Sequence, residues 1–119
     1  MQTHEILAWL SDGRDALDDD QFAQFTAAAN DIARRYPGPD DRAEAEAALT
    51  TAYRLLLEDP AAVIGELARD RHRAELGRLQ ALAGLRQAAL QLIGHDYTEA
   101  GFARAANVDR MAVRTWRGK

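Results

Sequence analysis

The chain predicts an all-α fold: an N-terminal helical bundle joined by a long helix to a C-terminal tri-helical unit. Three observations carry that reading. Apolar residues fill 47% of the 119 positions and 25 of the residues are Ala, so intrinsic preference is strongly helical. β-branched residues are scarce and no segment reads as a strand. Apolar residues recur at three- and four-residue spacing between clear start and stop signals.

Taken in order, Thr3 is placed to cap a short helix carrying Ile6, Leu7, Trp9 and Leu10, which Ser11-Asp12-Gly13 stops. The run Asp18-Asp19-Asp20 precedes Gln21 and can both cap a second helix and complement its positive end. That helix places Phe22, Phe25, Ala29, Ile32 and Ala33 on one face and ends before Pro37-Gly38-Pro39. Asp41, with Glu44 three residues on, predicts a capping box for a third helix with Ala45, Ala48, Leu49, Ala52, Tyr53, Leu55 and Leu56 inward. Asp59 as cap and Pro60 as first residue start a fourth.

Nothing obliges that fourth helix to stop before Gly94, since Gly65, Gly77 and Gly84 weaken it by roughly 1 kcal/mol each relative to Ala without breaking it. A continuous helix would be roughly 50 Å long at ~1.5 Å per residue. Its middle, Arg69-Asp70-Arg71-His72-Arg73, is too polar for burial all round. The expectation is that Pro60 to Leu76 packs on the N-terminal helices. Leu76 to Ile93 then opens a C-terminal module through a stripe of Leu79, Leu82, Leu85, Ala89, Leu90 and Ile93. Residues 1–74 and 75–119 are the two expected regions.

Gly94-His95-Asp96 closes the long helix. Thr98 caps a helix from Glu99 to Ala106, with Phe102, Ala103 and Ala106 inward. Asn107 stands where the chain must leave that helix through the left-handed region. Val108 plugs the turn, and Asp109 caps a last helix to about Arg117 with Val113 and Trp116 inward.

This spacing resembles the DNA-binding helix-turn-helix of bacterial and phage repressors. Those have a small Ala in the first helix, a Gly at the turn four residues later, an apolar plug, and two apolar residues in the second helix. Ala103, Asn107, Val108, Val113 and Trp116 fall on those places, with Asn107 departing from the usual Gly. The resemblance covers about 20 residues, or about 40 if Leu76 to Ile93 supplies the supporting third helix. It implies that Arg110, Met111, Arg114 and Thr115 face base edges, and that Arg110 and Arg114 are the primary readers. Thr98, Arg104, Arg117 and Lys119 are then placed for phosphates. Gly101, inside the first helix, is a second departure, open to close phosphate approach or to tight packing.

Charge agrees in sign. Residues 1–94 hold 10 Arg and 16 acids, net −6, whereas residues 95–119 hold four Arg, one Lys and three acids, net +2. From Arg110 onward there are four positive charges and no acid. A basic patch on an otherwise acidic chain is the pattern of a local nucleic-acid footprint, and a solvated basic face is the plainer reading.

Other classes have little to stand on. There is no Cys, and His4, His72 and His95 lie on separate elements, so no metal site, cofactor or nucleophile is expected and the chain does not read as an enzyme. No apolar run approaches the ~20 residues of a membrane span, and MQTHEILAWLSDG lacks a basic start and a cleavage pattern, so a cytoplasmic protein is expected. The expected function is sequence-specific double-stranded DNA binding as a homodimeric transcriptional regulator. Dimer contacts would come from Trp9, Phe22 or Phe25, or from Ile64 to Leu76. The alternatives are a helical protein–protein adaptor and an accessory protein of plasmid or phage DNA maintenance.

Overall fold

A computed structural model describes all 119 residues. The chain is all-α, with α1 Thr3–Leu10, α2 Asp19–Arg35, α3 Arg42–Leu57, α4 Pro60–Leu92, α5 Glu99–Ala106 and α6 Arg110–Trp116. It divides into two compact units, Met1–Ala68 and Arg69–Lys119, so the division falls inside α4 and ahead of the boundary expected near residue 74. No helix is long and apolar enough to cross a membrane.

The first unit closes around Ile6, Leu10, Leu17, Phe25, Ala29, Ile32 and Leu49. Trp9 stacks on Phe25 with centroids 5.5 Å apart, and Tyr53 meets Phe25 edge-on at 6.3 Å. The Tyr53 hydroxyl donates to the Gly13 carbonyl at 2.9 Å, and a Cβ at Gly13 would lie as close to that hydroxyl and would have to displace it. Arg14 lies 4.1 Å over the Phe22 ring. Phe25 is buried within its own unit, which removes it as an exposed dimer surface, while Trp9 and Phe22 are half-buried.

Helix starts follow the sequence in part. Asp18 caps α2 by accepting from the Gln21 amide at 2.8 Å, and Gln21 returns the contact to the Asp18 amide at 3.0 Å. Asp59 accepts from the Ala62 amide at 3.3 Å ahead of Pro60. Thr3, by contrast, is the first helical residue of α1; Gln2 precedes the helix and its amide donates to the Glu5 carboxylate at 2.8 Å. Asp41 does not form the expected box with Glu44. A 3-10 turn at Pro39–Asp41 leads straight into α3, and the Asp41 carboxylate accepts from the Gly38 amide at 3.2 Å instead. Leu55, expected inward, is 41% exposed.

α4 is one unbroken helix of 33 residues. Between Pro60 and Leu76 only Val63 is buried, so the expected packing of this stretch is confined to its part before Arg69, where Glu66 also pairs with Arg54. From Arg71 to Ala81 every residue is exposed. Pairs such as Arg73 with Asp70 and Arg78 with Glu75 occupy that surface, where water and salt screen them. The expected stripe also splits: Ala89 and Ile93 are buried and Leu82 and Leu85 half-buried, while Leu79 and Leu90 are exposed. Past α4, Gly94 takes φ +94°, which lets the Leu92 carbonyl accept from the His95, Asp96 and Tyr97 amides.

Candidate nucleic-acid interface

The second unit is built by the end of α4, α5 and α6. Thr98 starts α5, its Oγ1 accepting from the Gly101 amide at 3.0 Å. A Cβ at Gly101 would sit 3.2 Å from that oxygen, so the glycine relieves crowding at its own helix cap. At the other end Asn107 takes φ 57° and ψ 46°, the left-handed conformation. Its amide donates to the Arg104 carbonyl at 3.2 Å and the Val108 amide to the Ala103 carbonyl at 3.0 Å. These two bonds make a Schellman closure, so Asn107 turns the chain as Gly more often does. Asp109 then accepts from the Ala112 amide at 2.8 Å and starts α6.

Five buried residues fix the arrangement: Ala89, Ile93, Phe102, Ala103 and Val113, with Ala88, Leu92, Ala106, Val108 and Trp116 packed around them. Ala103 is small enough to let helices approach closely, and Val113 from α6 is fully enclosed. Tyr97 meets Phe102 edge-on at 6.1 Å. Each residue of α5, the turn and α6 expected inward lies in this cluster, and Trp116 belongs to it rather than to the open surface.

The side chains left outside are Arg110, Met111, Arg114 and Thr115 on α6, with Arg104 and Lys119 beyond them. Met111 is 69% exposed, the most open large apolar residue in the chain. The Thr115 hydroxyl donates back to the Met111 carbonyl at 3.0 Å, which leaves its methyl as the free part. Of the residues expected at phosphates, Arg104 and Lys119 are open, Thr98 uses its oxygen as a cap, and Arg117 is only 25% exposed along its side chain.

What holds Arg117 is Glu99, the first residue of α5, which carries no site role in the sequence pattern. Glu99, with 13% of its side chain exposed, lies beneath three arginines. Its Oε1 is 3.4 Å from Arg110 Nη2 and 3.7 Å from Arg114 Nη1, while Oε2 is 3.0 Å from Arg117 Nη1. The Arg117 contact is an ion pair without the alignment of a hydrogen bond. Burial pushes the Glu99 carboxyl up, but Arg117 and Arg110, with the charge of Arg114, outweigh it and hold it below the ordinary carboxylate range. Positions 110, 114 and 117 share one helix face, which the sequence shows. That the first residue of the preceding helix meets that face depends on how α5 and α6 cross.

Charge divides more sharply than the sequence windows indicated. Arg69–Lys119 carries ten basic and five acidic residues, net +5, against five and fourteen in Met1–Ala68, net −9. No protein family model matches the chain, and neither a curated protein nor a solved structure matches it.

Proposed function

We propose that the Arg69–Lys119 unit binds double-stranded DNA sequence-specifically, with α6 in the major groove, and that two copies of the chain act together as a transcriptional regulator. The observation that carries this reading is the α5–turn–α6 arrangement: Asn107 makes the left-handed turn, an apolar cluster fixes the helices, and an exposed row with Arg110 and Arg114 remains on α6. Each arginine fork suits the O6 and N7 of guanine, and Met111 and the Thr115 methyl suit a thymine methyl. Arg104 and Lys119 supply backbone contacts that position without reading. One such module makes few contacts, so two half-sites about one helical turn apart, ~34 Å, are expected.

The full chain is tested against labelled random duplexes across a salt series. The affinity should fall with salt with a log-log slope near −0.9 per phosphate neutralised. Arg110→Ala and Arg114→Ala should each lose about 1–3 kcal/mol of discrimination at particular bases, whereas Lys119→Ala should weaken all sequences alike. Absence of duplex binding at low salt would sink the reading, and a uniform loss in all three variants would sink the assignment of readers alone.

A protein-binding adaptor is the second reading, favoured by apolar exposure along α4: Ile64 is 63% exposed, Leu79 47% and Leu90 54%. Within the DNA reading the same residues serve the pairing of two copies. An accessory role in plasmid or phage DNA maintenance would use the same contacts on DNA.

A further inference from the structure

Among the exposed and clustered groups of the molecule, one set is arranged in a way that binding alone does not require. A helix surface built only to attract phosphate gains nothing from a half-buried carboxylate beneath its arginines, because each contact with Glu99 offsets positive charge and the carboxylate itself repels the backbone of DNA. Yet Glu99 reaches Arg110, Arg114 and Arg117 at once. The three contacts are unequal. Arg117, closest at 3.0 Å and 25% exposed, is the most enclosed, whereas Arg110, which donates to Oε1 at 3.4 Å, and Arg114, 3.7 Å from the same oxygen, keep 62% and 45% of their side chains open.

The chemistry of the fork makes that inequality useful. A guanidinium has five N–H donors in a fixed plane, and each of Arg110 and Arg114 is nearest the carboxylate through a single terminal nitrogen, Nη2 in one and Nη1 in the other. The remaining donors suffice for a two-point contact with a base edge. A free arginine on an exposed helix loses rotamer entropy when it docks, and it reaches phosphate as readily as base; a side chain already tethered has fewer alternatives.

We infer that Glu99 is a positioning residue that sets specificity: it tethers Arg110 and Arg114 toward guanine edges and away from phosphates, weakening general DNA binding to sharpen sequence choice. This rests on the DNA-binding reading of α6. Its consequence is opposite to that of losing a reader. Removing the charge of Glu99 raises affinity for arbitrary duplex and lowers the ratio between preferred and arbitrary sites.

The test uses the full chain and the best duplex selected from a random pool, beside a scrambled duplex. Glu99→Gln should bind the scrambled duplex more tightly, lose about tenfold in the preferred-to-scrambled ratio, and steepen the salt slope by about 0.9, one further phosphate. Glu99→Asp keeps the charge on a shorter arm and should restore part of the ratio. In an Arg114→Ala background the effect of Glu99→Gln on the ratio should shrink, because the carboxylate acts through the arginine. Thermal melts of each variant separate loss of fold from loss of choice. If Glu99→Gln unfolds the second unit, Glu99→Asp must still lower the ratio, by less. Wild-type binding with an unchanged ratio and slope in the folded variants overturns the inference and leaves the DNA reading intact; no wild-type binding to any duplex is the separate failure of that reading.

Discussion

The two units of this chain solve stability and charge in opposite ways. Met1–Ala68 encloses eight buried apolar residues, adds aromatic contacts around Phe25, and carries its net −9 on the outside. Arg69–Lys119 encloses five, and gathers three of its arginines around one carboxylate. A strongly acidic unit repels polyanions, so on the proposed reading it confines nucleic acid to the other unit. The smaller core means that the surface carrying α6 rests on few side chains, and each of them matters more.

The largest effects should come from the two buried phenylalanines. Phe25→Ala and Phe102→Ala each remove a ring that is almost wholly enclosed, at 1% and 5% exposure, and each should cost about 3–5 kcal/mol. Amide hydrogen exchange locates the damage. Phe102→Ala should release α5 and α6 while α2 and α3 stay protected, and Phe25→Ala should do the reverse. Equal loosening of both units in either variant would show that they do not hold separate cores.

Next in size is the backbone at the two non-glycine residues with positive φ, one in each unit. Asn107, at φ 57° and ψ 46°, occupies the left-handed region that Asn tolerates, whereas Ser11, at φ 50° and ψ −128°, occupies a region that suits Gly far better. Ser11→Gly should therefore stabilise the first unit by about 1 kcal/mol, and Asn107→Gly should change the second by only a few tenths. Asn107→Ala should cost about 1 kcal/mol. Urea melts check the series, and a larger gain at Asn107 than at Ser11 would reverse the comparison.

Those two residues also show how far the sequence could be read. Asn107 was legible, because a helix of known register, an Asn and a following Asp cap leave one place for the turn. Ser11 was legible as a stop, but not its conformation, which depends on how α1 gives way to the turn at Ser11–Ala16. Local signals served again at Asp18, Asp59, Thr98 and Asp109, each of which caps through its side chain. They failed at Asp41, where the Gly38 amide competes for the same carboxylate. Periodicity found the α5–α6 cluster but put Leu79 and Leu90 with it, since a helix pattern does not show where its neighbours end. Glu99 was the chief omission: sequence separation hid a contact that only the crossing of two helices brings together.

The smallest effect distinguishes how the two units hold a carboxylate. Glu58 is held below its ordinary range mainly by hydrogen bonding to Arg54, and Glu99 is held below it although burial opposes, through Arg117, Arg110 and Arg114. In the unfolded chain both carboxyls return to about 4.3. Because each folded value is depressed, each contribution to stability is complete above that pH and is lost as pH falls through the folded value. Melting temperature should therefore not vary with pH through these two groups between neutrality and pH 5, where both contribute in full, and should decline with them below about 4.3. Salt separates the pair: the Glu58 side chain is 47% exposed against 13% for Glu99, so screening should flatten the Glu58 share first. Melts from pH 7 to 3 on wild type, Glu58→Gln and Glu99→Gln, at low and high salt, read both. If the acid decline is as steep in Glu99→Gln as in wild type at high salt, the arginine cluster does not stabilise the second unit and its role is confined to aiming the side chains it holds.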